Sequence, residues 1–547
     1  VRDGRAPAGA PADYARKSLV ERVTGRFYTP DLLAGDLAAR MAAELATSLG
    51  TGTRSSGRIR VGDPFVGDGQ LVLALLRAIA AQPVLAAQRI LIDVRDVDEI
   101  ALARAKERIS TLASELGLSL TLEATVGDSL SQRSLPPHDA IITNPPWELL
   151  KPDARETSAL SDGEREQYAR WLRSRCEELD QRFPEARADK SWAGWGTNLA
   201  RCGVALCLNS CRIGGVLGMV LPATLMGDQA SVSLRRCLVQ RSALVDLAVH
   251  PSEARLFDRV DQPVVVACMR VGAHGGTVGT VRHFNKNASV RVEHSIDWSE
   301  RGLAASDYAL PVAHGSEAAA HLTRAFAGLP LFSMLEGEGL IWAGRELDET
   351  RVAEKLSAVG AFPFIKGRMV SRHEIVEQPS AFVKPELAEK IRSAAHRRLV
   401  WRDVARASSK RRMIGTVIPA GWVAGNSLHV AYATDGDEER LLAVYAVLMS
   451  MVFEAQVRTR LSTGHMSLGI IRSARVPKLD KRMRQRLGRA ARSALSREPG
   501  AEHRLEVETA RAYGLDRDAM GLVLGCFPKL TRSEVDAILA PAAWSGR

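Results

Sequence analysis

A chain of 547 residues is too long for one hydrophobic core and suggests several domains. With 46% hydrophobic and 25% charged residues the composition is globular, and seven cysteines without a C-x-x-C pair argue against a disulfide framework or a zinc site. The formal charge of +11 suggests a polyanionic partner and is unevenly placed: residues 384–412 hold ten Lys and Arg against three acids, and 472–497 ten against one.

The N-terminal VRDGRAPAGAPADY has no hydrophobic signal core and reads as a flexible lead over 1–20, with a cytoplasmic location expected. From Arg58 strand-like and helix-like segments alternate. RIRVGDPFV is a strand entering a loop, LVLALLRAIAAQ a helix, RILIDVRDVD a second strand, ALARAKERISTLASEL a helix, TLEATVGD a third strand and DAIITNPPW a fourth. This alternation predicts βαβ units and a mostly parallel sheet in an α/β domain over 21–285. Residues 151–190, with nine basic and ten acidic side chains, read as a solvated helical insertion. The sheet resumes with GMVLPATLM, ALVDLAVH and QPVVVACMRV, while Cys202, Cys207 and Cys211 read as small hydrophobes in an apolar helix. Gly, Asn and Ser enrichment then marks a linker over 286–330, followed by an α+β domain over 331–547 with a small helical cap. The longest apolar run, Leu441 to Phe453, is broken by Ser450 and falls short of the roughly 20 residues a membrane span needs. It predicts a buried helix and no membrane partner.

The chemistry gathers at strand ends. Asp63-Pro-Phe65-Val-Gly67-Asp-Gly69 follows the first strand and opens a helix; its glycines allow close backbone approach, and a carboxylate there can bind an ammonium group. A glycine-rich loop alone is equally a structural turn. The second strand ends in Asp96-Val97-Asp98, where an acid can hold ribose hydroxyls, and Asp98 reads as a helix cap. The third ends in Gly127-Asp128. The fourth ends in Asn144-Pro145-Pro146-Trp147, a rigid loop that cannot continue the ladder. Three acidic tips and one carrying an amide and an aromatic ring make a single pocket.

This order resembles the S-adenosylmethionine-dependent amino-methyltransferases, in which D-P-x-x-G-x-G, two strand-end acids and N-P-P-[YFW] appear in sequence. Upstream, Gly25-Arg-Phe-Tyr28-Thr29-Pro30 is similar to the segment that precedes the cofactor loop in gamma-class N6-adenine DNA methyltransferases of restriction–modification and phage-defence systems. The likeness continues more loosely through Trp192 to Leu225, Leu256-Phe257-Asp258 and the C-terminal half, which resembles a DNA target-recognition region.

The resemblance implies a Rossmann-like fold, S-adenosylmethionine as cofactor, and transfer of its methyl group to N6 of an adenine flipped out of duplex DNA. Thr29 and Asp63 would contact the methionine end, Tyr28, Pro30, Gly67 and Gly69 would also lie at the cofactor, and Phe65 would line the adenine pocket or pack in the core. Asp96 and Val97 would meet the ribose and Asp128 the adenine amino group. Asn144 and the Pro145 carbonyl would accept the hydrogens of N6 on the rigid Pro145-Pro146 unit, with Trp147 stacking on one face of the base and Phe257 covering the other. Trp147 departs from the commoner Tyr, so a tyrosine hydroxyl's hydrogen bond is missing. No metal is implied, and a nuclease, where the system has one, is expected on a separate restriction or defence subunit. In the C-terminal half Arg397, Arg398, Arg402, Arg406, Lys410, Arg411 and Arg412 surround a strand-like LVW; most are expected on phosphates and one or two on guanine edges, the alternative being a solvated basic face. The run from Lys478 to Arg497 reads as a helix suited to following a backbone. Two other readings stay open: a methyltransferase acting on RNA or protein glutamine, and a DNA-binding defence subunit whose pocket is vestigial.

Overall fold

The computed structural model describes residues 29–50, 57–151, 160–188, 196–257, 262–272, 277–304, 307–310, 322, 325–326, 328–348, 356–405, 409–458 and 466–545. Tyr28, Trp192, Asp258 and Arg406 lie outside them. The chain divides into two compact units, Val1–Val312 and Ala313–Arg547.

The first unit is built on a nine-stranded sheet. In chain order its strands are β1 (Arg58–Asp63), β2 (Arg89–Asp96), β3 (Leu120–Val126) and β4 (His138–Thr143). The short β5 (Leu149–Leu150) and β6 (Thr197–Asn198) pair with each other outside the sheet, which continues with β7 (Cys211–Pro222), β8 (Ser242–His250), β9 (Val264–Val271), β10 (Thr277–Phe284) and β11 (Val290–Trp298). The spatial order is β11-β10-β8-β9-β7-β4-β1-β2-β3, with β9 and β11 running against the other strands. The sheet is mostly parallel, as the alternating pattern predicts.

Burial explains the pattern of residues. The central β4 is buried at every position, the polar His138, Asp139 and Thr143 flanking its apolar Ala140-Ile141-Ile142, whereas β3 at the edge alternates and exposes Glu123 and Thr125. Helix α1 (Asp31–Gly50) and α2 (Gln70–Ala80) bury leucine-rich faces against one side of the sheet. Asp98 caps α3 (Glu99–Glu115) by accepting from the Ile100 amide at 3.1 Å. The insertion after β4 contains α4 (Asp162–Arg182), closed at its start by a Ser161–Glu164 capping box, and leads to α5 (Leu199–Ser210) and α6 (Val232–Arg241). Cys202, Cys207 and Cys211 are buried, and desolvation pushes the Cys202 thiol up to about 12.

The linker expected over 286–330 is in part sheet. Residues 290–298 form β11, joined to β10 by a turn in which the Asn285 amide donates to the Ser289 carbonyl at 2.8 Å. The Gly, Asn and Ser enrichment there belongs to a hairpin turn, which has the composition of a linker for the same conformational reasons.

The second unit has an antiparallel four-stranded sheet in the order Ile341–Gly344, Leu428–Ala433, Arg398–Arg402, Gly415–Ile418, a second small sheet, and a helical layer. The apolar run 441–453 is buried but forms two helices, α7 (Glu438–Met449) and α8 (Met451–Arg458), bent by 55° about Ser450. Among the described residues no single helix is long and apolar enough to cross a membrane. Helices α9 (Lys481–Leu495) and α10 (Ala501–Ala512) complete the layer.

Candidate functional site

From β1 the chain winds outward through β2 to β3, then returns on the other side of β1 with β4. The winding direction switches between β1 and β4, which opens a crevice at the carboxyl ends of the strands. Asp63 ends β1 and Asn144 directly follows β4, so the two flank that crevice.

Asp63 is only 1% exposed. Thr143 donates its hydroxyl to Asp63 Oδ1 at 2.6 Å, and the Phe65 amide donates to the same oxygen at 3.0 Å. Burial pushes the carboxyl up to about 7 against these two hydrogen bonds, and the nearby Asp96 charge adds to the rise. Among the described residues no cation pairs with it. A buried carboxylate without a cation is costly to ionise, and a cationic ligand relieves that cost.

The loop after Asp63 turns through Gly67 and Gly69 with φ of 53° and 87°, a region that side chains disfavour. Asp96 fixes this loop: its Oδ2 accepts from the Gly67 amide and its Oδ1 from the Asp98 amide, each at 2.8 Å. Arg108 of α3 clamps the loop from behind, donating to the Asp68 carboxylate at 2.7 Å and to its carbonyl at 2.8 Å. Val97 follows, half-buried. At the third tip Asp128 accepts from the Leu130 amide at 2.9 Å and is ion-paired with Arg175 of α4. A ligand at Asp128 must therefore share its carboxylate with the helical insertion.

The fourth tip is held from two sides. Asn144 donates Nδ2 to the hydroxyl of buried Thr29 at 3.1 Å, which directs the nitrogen end of the amide toward the residues before α1. Thr29 thus adjoins the Asn144 loop. After Trp147 the chain pairs β5 with β6, and the Leu199 amide donates to the Glu148 carbonyl at 2.8 Å, tying the loop to the start of α5. In that helix a Cβ on Gly203 would stand 2.5 Å from Pro145 Cβ and 3.3 Å from the Phe65 ring. Only glycine lets α5 approach the buried Pro145.

Phe257 is brought to Trp147, but not as two parallel faces. The rings meet edge to face, with centroids 5.0 Å apart and an interplanar angle of 61°, and Phe257 is 5% exposed. A base can lie between them only once the rings part. Burial to this extent is also what an ordinary core phenylalanine shows.

The residues missed by reading the sequence are Thr143, Gly203, Arg108 and Arg175. Gly203, inside an otherwise apolar helix, carried a legible sign of close backbone approach. The other three act through contacts between segments far apart in the chain.

In the second unit, two arginines of the 397–412 cluster are buried. Arg398 is fully buried, paired with Glu346 at 2.7 Å and donating to the His396 carbonyl at 2.9 Å. Arg411 is 7% exposed and lies between Glu454 at 2.8 Å and Glu506 at 2.9 Å. Arg397 pairs with Glu438, Lys410 with Glu534, and Arg402 donates to the Val370 carbonyl at 2.8 Å. The backbone amide of Arg412 donates to Glu454 at 2.7 Å. Arg398 and Arg411 are structural, because a buried guanidinium already satisfied by carboxylates cannot reach a phosphate.

No family model matches the chain, and no curated protein matches it in sequence. Solved structures do match in fold. The Type IIL restriction-modification enzyme MmeI, in complex with DNA, aligns with a TM-score of 0.55 at 11% identity, over 96% of this chain and 79% of that one. Restriction–modification enzymes share this fold. A nuclease-deletion mutant of the Type ISP enzyme LlaGI, in complex with a DNA substrate mimic, aligns with a TM-score of 0.52 at 11% identity. That match spans 88% of this chain and 48% of that deletion mutant, so the chain accounts for about half the mutant's length.

Proposed function

We propose that this protein is an S-adenosylmethionine-dependent DNA methyltransferase of a restriction–modification type, acting on N6 of adenine. The observation that carries the reading is the pairing of Asp63, a buried carboxylate without a cation, with Asn144, an amide oriented by Thr29, across the winding switch of the sheet. The fold shared with DNA-bound restriction–modification enzymes supports the DNA part of it.

The residues fit the cofactor's chemistry. Asp63 suits a positively charged ligand, and the Asp96 carboxylate, an acceptor at the end of β2, is of the type that suits ribose hydroxyls. When bound, S-adenosylmethionine supplies a methyl group already activated on sulfonium, so the protein's task is positioning. Asn144 Oδ1 and the Pro145 carbonyl accept the two hydrogens of the target amine, which localises its lone pair and aligns it for in-line attack. The Pro145-Pro146 unit and its contact with Gly203 keep those acceptors fixed. Extruding the base costs a few kcal/mol, and stacking on Trp147 offsets about 1–3 kcal/mol of that.

The test is transfer of labelled methyl to duplex DNA by the full chain and by Asn144→Ala. The wild type is expected to label adenine and the variant to lose transfer while still binding the cofactor. A variant that keeps transferring methyl groups removes Asn144 from the reaction, and a wild type that does not bind S-adenosylmethionine leaves a vestigial pocket as the better account.

A further inference from the structure

The basic charge of the second unit is large, but most of it is neutralised in place. Residues 313–547 hold 36 Lys and Arg against 26 acids, whereas 1–312 hold 38 against 37. Within the cluster around 397–412, Arg398 and Arg411 are buried in ion pairs, while Arg397 and Lys410 pair with acids at the surface. Helix α9 is different. Over 481–495 it contains six cations and no acid, and it buries Leu487, Gly488, Ala490, Ala491 and Ala494 against α7 and α10.

The flanks of α9 are matched to acids on its neighbours. Arg484 faces Asp437 at 3.6 Å, Arg486 pairs with Glu508 at 2.6 Å, and Arg492 pairs with Glu439. At 100° per residue, Arg482 and Arg489 fall on the face opposite the buried one, and Lys481 lies at its edge beside Arg492. All three are exposed, as is Lys478 just before the helix, and none of the four has a carboxylate partner among the described residues. Arg482 and Arg489 stand seven residues apart, about 10 Å along the axis.

We infer that this face of α9, with Lys478, Lys481, Arg482 and Arg489, binds the phosphodiester backbone of duplex DNA. The inference rests on the reading above and locates the contact that the 397–412 cluster was expected to make. A row of unpaired cations on a rigid, well-packed helix suits a periodic polyanion: it needs no rearrangement to bind, and its neutralised flanks limit the contact to one stripe. Lysines and arginines on phosphate position a protein without reading sequence, so the stripe serves affinity and register rather than base choice.

The experiment measures duplex affinity against salt concentration for the full chain, the quadruple Gln variant at 478, 481, 482 and 489, and a control triple variant, Lys384→Gln/Lys390→Gln/Arg392→Gln. The control residues are also exposed but are interleaved with Glu386 and Glu389. Thermal unfolding checks that each variant is folded. If all four cations sit on phosphates, the slope of log affinity against log salt becomes shallower by about 3–4, at roughly 0.9 per contact. Affinity at moderate salt falls at least about tenfold, while the control changes little. A folded quadruple variant with wild-type affinity and slope overturns the inference and leaves the face to an acidic protein partner. Equal weakening in the control overturns it too, by reducing the effect to net charge. A wild type that does not bind duplex DNA at all sinks the functional reading itself, an outcome distinct from either.

Discussion

Asp63 is the residue at which burial and function conflict. Its carboxyl titrates near 7 in the folded protein against an ordinary value of 3.8, because desolvation outweighs the hydrogen bonds from Thr143 and Phe65. The folded state therefore holds this proton more tightly than the unfolded chain. The stability this contributes is fully present below about pH 4 and is lost as pH rises through about 7, so ionised Asp63 destabilises the fold at neutral pH. A cationic ligand reverses the preference, since it binds the ionised form. S-adenosylmethionine affinity is expected to weaken as pH falls below about 7, approaching tenfold per pH unit, and to level off above it. Calorimetric titration from about pH 5 to about pH 8 measures this, with Asp63→Asn predicted to bind weakly and with a flat profile. A wild-type profile that stays flat through neutral pH places the cofactor's charge away from Asp63.

At the scale of elements, α5 and the Asn144 loop form one mechanical unit. Gly203→Ala adds a methyl group 2.5 Å from Pro145 Cβ, and the strain costs about 1–3 kcal/mol, offset in part by about 1 kcal/mol of helix propensity. Catalysis should suffer more than folding. Moving the Pro145 carbonyl by about 1 Å misaligns an acceptor and costs on the order of a hundredfold in turnover. Steady-state kinetics beside thermal unfolding separate the two effects, and unchanged turnover dissociates α5 from the catalytic loop. The elements themselves were largely legible: β1 to β4 and their helices follow from alternating apolar runs, and the Asp98 cap and the strand-tip motifs follow from residue type and order. The 285–289 turn was misread because hairpin turns and linkers draw on the same residues. The burial of Arg398 and Arg411 was not legible for another reason. Arg398, Arg411 and their acids Glu346, Glu454 and Glu506 are tens of residues apart, and a count of charge cannot tell a cation matched across the fold from one facing solvent.

For the whole molecule, the division of the chain predicts how it unfolds. Each unit has its own hydrophobic clusters, those of residues 33–310 in one and 322–544 in the other, and each is large enough to melt cooperatively. Two calorimetric transitions are therefore expected. The residues proposed to hold the cofactor lie in the first unit, so S-adenosylmethionine at 100 times its dissociation constant should stabilise one transition by about 2.7 kcal/mol and leave the other in place. Arg411→Ala should act on the other transition alone. It leaves Glu454 and Glu506 buried with a cation missing between them; burial raises the Glu454 carboxyl, Arg411 together with Arg458 holds it down to about 2, and the variant retains Arg458 alone of those two. Breaking a buried pair from one side costs about 3–5 kcal/mol, enough to shift that transition by many degrees. Scanning calorimetry of the full chain, with and without cofactor, and of the Arg411→Ala variant checks both halves. A single transition that moves with both perturbations would show that the units unfold as one, and that the buried arginine and the cofactor act on a common stability.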